Sequence, residues 1–262
     1  MIIISIYIFV LGLIIGSFLN AVIYRLEVGG SLIKERSRCP LCKHTLSWYE
    51  LIPVLSFIFQ GGRCTKCKKA ISWQYPIVEI LTGSLFAFAF FYINNSYLLL
   101  DFSAFFELSY LLLILSFLVL IFVFDWKHYI IPNIAIYSLI IISFFYNLYI
   151  FGFSNLLPYL MAVFIASGFF LFLYVVSSGR WIGMGDVKYG VFMGLFLGIN
   201  DVLVGLFLSY TIGAIIGSFL LLGKNKGLKS EVPFGPFLIV GTLLAYFYGN
   251  YILNWYLGMV VF

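Results

Sequence analysis

Charge is what this sequence has least of. Only 10% of its 262 residues are Asp, Glu, Lys or Arg, where water-facing domains carry about 25%. That shortage excludes an ordinary soluble surface, and with it disorder and nucleic-acid binding as a main business. Cysteine is sparse as well. Four in 262 residues cannot make a secreted disulfide scaffold. No Pro/Ser-rich linker marks a second domain, and no internal repeat stands out. What fills the chain instead is apolar: 63% hydrophobic, 21% aromatic, mean hydropathy +1.11. Such a chain lives in a bilayer.

A helix needs roughly 20 apolar residues to cross about 30 Å of hydrocarbon. Eight stretches qualify, near 2–24, 76–93, 108–124, 132–150, 156–176, 187–199, 202–222 and 235–257. The sixth is short and Gly-rich. The first is read as a span and not a signal peptide, because it has no basic n-region, a long apolar run and no small-residue cleavage site. With eight spans, all 15 Lys and Arg fall on one side, nine of them between the first two spans. The other side carries only Asp101, Glu107 and Asp201. The positive-inside rule makes the basic side cytoplasmic and puts both termini outside. The expected fold is an all-α polytopic membrane protein of about eight transmembrane helices with one zinc-stapled cytoplasmic loop. The expected organisation is a first span at 1–24, a cytoplasmic loop at 25–75 and a membrane core at 76–262.

Acids at membrane helices are costly and therefore candidates for function. Two have distinctive settings. Asp125 ends the third span in Phe124-Asp125-Trp126-Lys127, and Asp186 opens the sixth in Gly183-Met184-Gly185-Asp186-Val187-Lys188. Topology places both at the cytoplasmic boundary. Neighbouring carboxylates share a proton, so one can act as base toward water while the other polarises a carbonyl. That pair is enough to hydrolyse a peptide bond. Gly183 and Gly185, without Cβ atoms, let the backbone approach closely. A transporter or channel binding cations at these two acids is the alternative, although transporter charges belong at the midplane.

In the loop, Cys39-x-x-Cys42 and Cys64-x-x-Cys67 read as a closed Cys₄ zinc site. A loop of about 50 residues with few aliphatics builds no core, and a metal staples it instead. His44 lies nearby, but four thiolates fill the shell. Glycines four apart (Gly12 and Gly16, Gly213 and Gly217) are expected at close helix contacts, and Lys224–Lys229 as an orientation signal.

These motifs resemble the prepilin leader peptidases, a family of Gly-x-Gly-Asp membrane aspartyl proteases. The resemblance runs through Gly16-Ser17-Phe18-Leu19-Asn20, Trp48-Tyr49-Glu50-Leu51-Ile52-Pro53, Tyr75-Pro76-Ile77-Val78-Glu79, the Gly-x-Gly-Asp run and Pro233-Phe234-Gly235-Pro236-Phe237. It implies that Asp125 and Asp186 are catalytic and that the substrates are type IV prepilins or pseudopilins, cut after a glycine at the cytoplasmic face of the plasma membrane. It also implies N-methylation of the new terminus from S-adenosylmethionine, associated with the loop around Gly61 and Gly62. One departure is Ile131-Pro132-Asn133, where the family often has Ile-Pro-Asp. A helix C-terminus at Asp125 and an N-terminus at Asp186 predict that the shared proton rests on Asp125.

Overall fold

The structure is a computed structural model, and it describes residues 2–30, 36–96, 102–222 and 232–260. Lys34, Glu35, Asp101, Glu231 and the Lys224–Lys229 cluster lie outside the described residues. The long helices are α1 (Ile2–Val28), α3 (Gln74–Ser96), α4 (Phe102–His128), α5 (Asn133–Phe151), α6 (Leu157–Ser177), α7 (Met184–Leu222) and α8 (Gly235–Val260), with a short α2 (Leu55–Phe59) between the first two. Seven of them are long and apolar enough to cross a membrane.

Helix α7 has 39 residues, about 58 Å at 1.5 Å per residue if straight, far more than one crossing. It is not straight. Gly198 has φ 70° and ψ −177°, a region open essentially only to glycine. The chain doubles back there. A Cβ at Gly205 would meet the Met193 side chain, twelve residues earlier, and Tyr210 stacks on Phe170, which also lies against Gly190. Two antiparallel arms explain both contacts, so α7 is two helices joined at Gly198, and the described residues hold eight apolar helices, one for each stretch expected from the sequence. The fold is polytopic and all-α, as expected.

Two compact units divide the chain, Met1–Leu120 and Ile121–Phe262. In the first, α1 packs on α3 through glycines. A Cβ on Gly12 would lie 2.7 Å from Gly83 Cα, and one on Gly16 would lie 2.7 Å from Glu79 Cα. With no side chain between them the backbones meet, which is how helices associate where lipid removes the hydrophobic drive. In the second unit the first arm of α7 lies against α6 at Gly190 and Gly194, and the second arm lies against α8 at Gly205, Ser209 and Gly241. The expectation holds for Gly213, where a Cβ would lie 3.3 Å from the Phe237 ring of α8, and fails for Gly217, which has nothing within 4 Å. The α7–α8 seam is tightest one turn earlier, where Ser209 meets Gly241. Polar ties cross the second unit: Asn147 Nδ2 donates to Leu195 O (2.6 Å) and Tyr189 to Thr242 Oγ1 (3.1 Å).

Candidate active site and metal centre

The second unit brings Asp125 and Asp186 together. Both are buried, 4% and 9% exposed, and they are close enough for the charge of one to act on the other. Asp186 lies in the first turn of α7, and its Oδ2 accepts the Gly183 N–H (3.2 Å), which lies three residues earlier. Gly185 packs on Ile131, where a Cβ would sit 3.2 Å from the Ile131 Cβ. Any larger residue there pushes the α7 entry away from the chain that leaves Asp125. Gly183 is looser, with no neighbour nearer than 3.8 Å to the position of a Cβ.

Asp125 sits one turn before the end of α4, where the Tyr129 N–H closes back on its carbonyl at 2.8 Å. Its carboxyl accepts the N–H of Gly235, the first residue of α8. A Cβ on Gly235 would land on that carboxyl, 3.0 Å from Cγ and nearer still to Oδ2. Both aspartates therefore lie at helix N-termini, where free N–H groups and the macrodipole favour an anion. The expectation that the proton rests on Asp125 set the C-terminus of its own helix against the N-terminus at Asp186. With α8 facing Asp125, the helix ends no longer distinguish the two acids.

Lys188, two residues beyond Asp186, donates to Asn133 Oδ1 at 2.7 Å and lies 5.0 Å from the centroid of the Tyr137 ring.

In the first unit, the Sγ atoms of Cys39, Cys42, Cys64 and Cys67 all lie within 4.8 Å of one another, with Cys39 and Cys67 4.0 Å apart. Sulfurs around a tetrahedral Zn²⁺ at about 2.3 Å are separated by about 3.8 Å, so the four thiols fit that ion with little movement. The site is two copies of one turn. In the first, Cys39 N–H donates to His44 O, Lys43 N–H to Cys39 O, and Arg38 bridges Thr45. In the second, Cys64 N–H donates to Lys69 O, Lys68 N–H to Cys64 O, and Arg63 bridges Ala70. Lys43 and Lys68, each just after the second cysteine of its pair, both have positive φ, 58° and 60°. The repeat of Arg-Cys-x-x-Cys-Lys is visible in the sequence at 38–43 and 63–68. The N–H groups of Cys67 and Lys66 lower the Cys64 thiol to about 7, which favours the thiolate that a metal requires.

Two acids overlooked in the sequence hold this loop. Buried Glu50 accepts the Ser47 N–H (2.8 Å) and the Thr65 hydroxyl (2.5 Å), and pairs with His44 Nε2 (3.5 Å). His44 is thereby turned to a carboxylate. Burial alone would raise Glu50, but the Ser47 N–H, Thr65 and His44 together hold it below its ordinary value. Glu79, buried on α3, accepts the Val54 N–H at 2.7 Å. Val54 has φ 60° and ψ −50°, a strained conformation for a β-branched residue, and that bond helps fix it. Gly61 and Gly62 close the turn after α2, the Gly62 N–H donating to Phe57 O (2.9 Å). The described residues contain no strand, only the two isolated bridges. No Rossmann-type methyl-donor fold is present among them, and the glycine pair remains only a resemblance-based association with methylation.

Metal content is directly measurable. Purified protein is expected to carry one zinc per chain, and Cys39→Ser or Cys64→Ser to lose it and leave the loop open to protease. Structural zinc supplies about 10–16 kcal/mol of apparent binding energy to small folds of this kind. A metal-free protein with an intact, protease-resistant loop would refute the site.

Comparison with known proteins follows the same division. Residues 10–93 match the Bacterial Peptidase A24 N-terminal domain, and residues 112–218 match the Type IV leader peptidase family. The chain is 34% identical over 256 residues to the prepilin leader peptidase/N-methyltransferase of Bacillus subtilis, covering 97% of this chain and 98% of that one. It is 29% identical to the Legionella pneumophila protein of the same description, over 94% and 92% of the two chains. Against the Myxococcus xanthus protein it is 41% identical over 128 residues, 49% of this chain and 36% of that one. No solved structure matches.

Proposed function

This chain belongs to the type IV leader peptidase family, and from that premise we propose that it is a membrane aspartic endopeptidase whose dyad is Asp125 and Asp186. Its substrates are type IV prepilins or pseudopilins, cut at the cytoplasmic face of the plasma membrane. The observation that carries the reading is the pair of buried carboxylates, each taking an N–H at a helix N-terminus, with the charge of Asp125 acting on Asp186.

The dyad holds one proton between two acids. The ionised carboxylate takes a proton from water as the water oxygen bonds to the scissile carbonyl carbon. The protonated partner gives its proton to the carbonyl oxygen. The tetrahedral diol then collapses: the C–N bond breaks, the leaving amine takes a proton, and the dyad returns to one proton. The Gly183 and Gly235 N–H groups hold the two carboxyls at fixed positions throughout, which contributes orientation at no cost during reaction. Substrate must be extended at the cut, since a helix engages the carbonyl in its own hydrogen bond.

The second activity, methylation of the new N-terminus with S-adenosylmethionine as methyl donor, rests on the relatives' names and on the resemblance at Gly61 and Gly62. The functional division keeps 25–75 as a loop stapled by zinc on Cys39, Cys42, Cys64 and Cys67, and 76–262 as the protease core. A transporter finds no support in the relatives.

The test is purified protein in detergent with a prepilin. Cleavage after the glycine, followed by methylation when S-adenosylmethionine is added, supports both activities; a prepilin left uncut under conditions where the protein is folded removes the first. Asn133→Asp is expected to leave cleavage within about twofold, because an exposed Lys–carboxylate pair adds only about 0–1 kcal/mol over the existing bond. Loss of activity in that variant would show that the neutral amide matters.

A further inference from the structure

Among the described residues, two buried side-chain oxygens lack a hydrogen-bond partner: Asp201 Oδ1 and the hydroxyl of Tyr210. Asp201 lies beside the Gly198 turn, against Gly249. Tyr210 lies at the opposite end of the α7 hairpin, on the second arm, within reach of the charge of Asp186 on the first.

Its ring is fixed on three sides. Phe169 meets it edge-on at 5.7 Å, Phe170 stacks at 6.4 Å and Phe234 tilts against it at 5.1 Å. Phe234 directly precedes Gly235, whose N–H holds Asp125. Tyr210 therefore touches the element that positions one catalytic acid and lies near the other. A buried hydroxyl without a partner is costly, and such groups call for an explanation. Nothing in the fold uses this one. It makes no hydrogen bond to Asp186, whose Oδ2 takes the Gly183 N–H.

We propose that Tyr210 is a third catalytic residue, donating its hydroxyl hydrogen bond to the scissile carbonyl oxygen as negative charge builds there. The proposal rests on the protease reading and deepens it. In this role the carbonyl of a peptide attacked at the dyad enters between acid and phenol, so that its oxygen meets the hydroxyl. Tyr210 is placed there as a neutral donor that has no bond to break first. Its proton stays on the phenol and no covalent bond to it forms. Donors held ready for a developing oxyanion act in this way, and losing one costs about 10²–10³-fold in rate.

Tyr210→Phe tests this cleanly, since the ring and its three aromatic contacts remain and no hydrogen bond seen in the fold is lost. The expected result is kcat for prepilin cleavage lowered about 10²-fold, KM within about twofold, and a melting temperature unchanged or raised. Difluorotyrosine at 210, a more acidic phenol of nearly the same shape, is expected to lose rate at a lower pH than wild type. A ring that only packs gives the wild-type profile. Cleavage by Tyr210→Phe with kcat within twofold of wild type overturns the proposal. So does a shifted pH optimum at undiminished maximal kcat, which would place the hydroxyl on Asp186 and not on substrate. Asp125→Asn and Asp186→Asn run beside it separate the two failures. If those variants cleave normally, the protease reading itself falls; if they are dead and Tyr210→Phe is not, only the Tyr210 assignment does.

Discussion

Asp186→Asn is expected to abolish leader cleavage, by on the order of 10²–10⁴-fold or more, and Asp125→Asn to do the same. Asparagine has nearly the shape of aspartate and can still accept the Gly183 or Gly235 N–H through its amide oxygen. It can neither take a proton from water nor hand one to a carbonyl. The loss is therefore chemical and not architectural. The fold is expected to hold, or to melt at slightly higher temperature, because removing a buried acid relieves desolvation. Prepilin processing by SDS gel together with a melting curve checks both halves. A variant that is folded and cleaves at the wild-type rate would remove its aspartate from the mechanism. The double variant is expected to be no worse than either single, since the acids act as one unit.

Gly235→Ala is the second large effect. Alanine suits the start of a helix, so α8 itself tolerates it. The added methyl, however, falls on the Asp125 carboxyl, which is short and cannot yield without leaving its place. Displacing a catalytic group by about 1 Å costs about 10²-fold, and that is the expected fall in kcat. Gly217→Ala is the matched control, having nothing within 4 Å, and is expected to cleave like wild type. Full activity in Gly235→Ala would mean that the Asp125 position is not critical.

Much of this was legible before any coordinates. Hydropathy is a one-dimensional signal, and it located the long apolar helices of the described residues, including the two arms that meet at Gly198. The cysteine spacing pointed to the cluster, and the Gly-x-Gly-Asp run to Asp186. Contacts made by distant residues were not legible. Nothing around Phe124-Asp125-Trp126 says that its carboxyl will be met by an N–H from residue 235, and the proton assignment lost its basis for that reason. Glu50 was passed over as a loop acid, although Ser47-Trp48-Tyr49-Glu50 is a capping-box pattern and the Glu50 side chain accepts the Ser47 N–H. Tyr210 carried no signal at all. One tyrosine among 19 reads as lipid-facing bulk until its neighbours are known.

The bond from α8 to Asp125 also has a consequence for how the molecule comes into being. Residues 125 and 186 leave the ribosome well before residue 235, so through most of synthesis both acids are already made while one lacks its donor. A protease that matures this way is expected to gain full activity only when α8 joins the bundle. A truncated chain lacking α8 is accordingly expected to cleave leaders poorly, because Asp125 has lost the N–H that holds it.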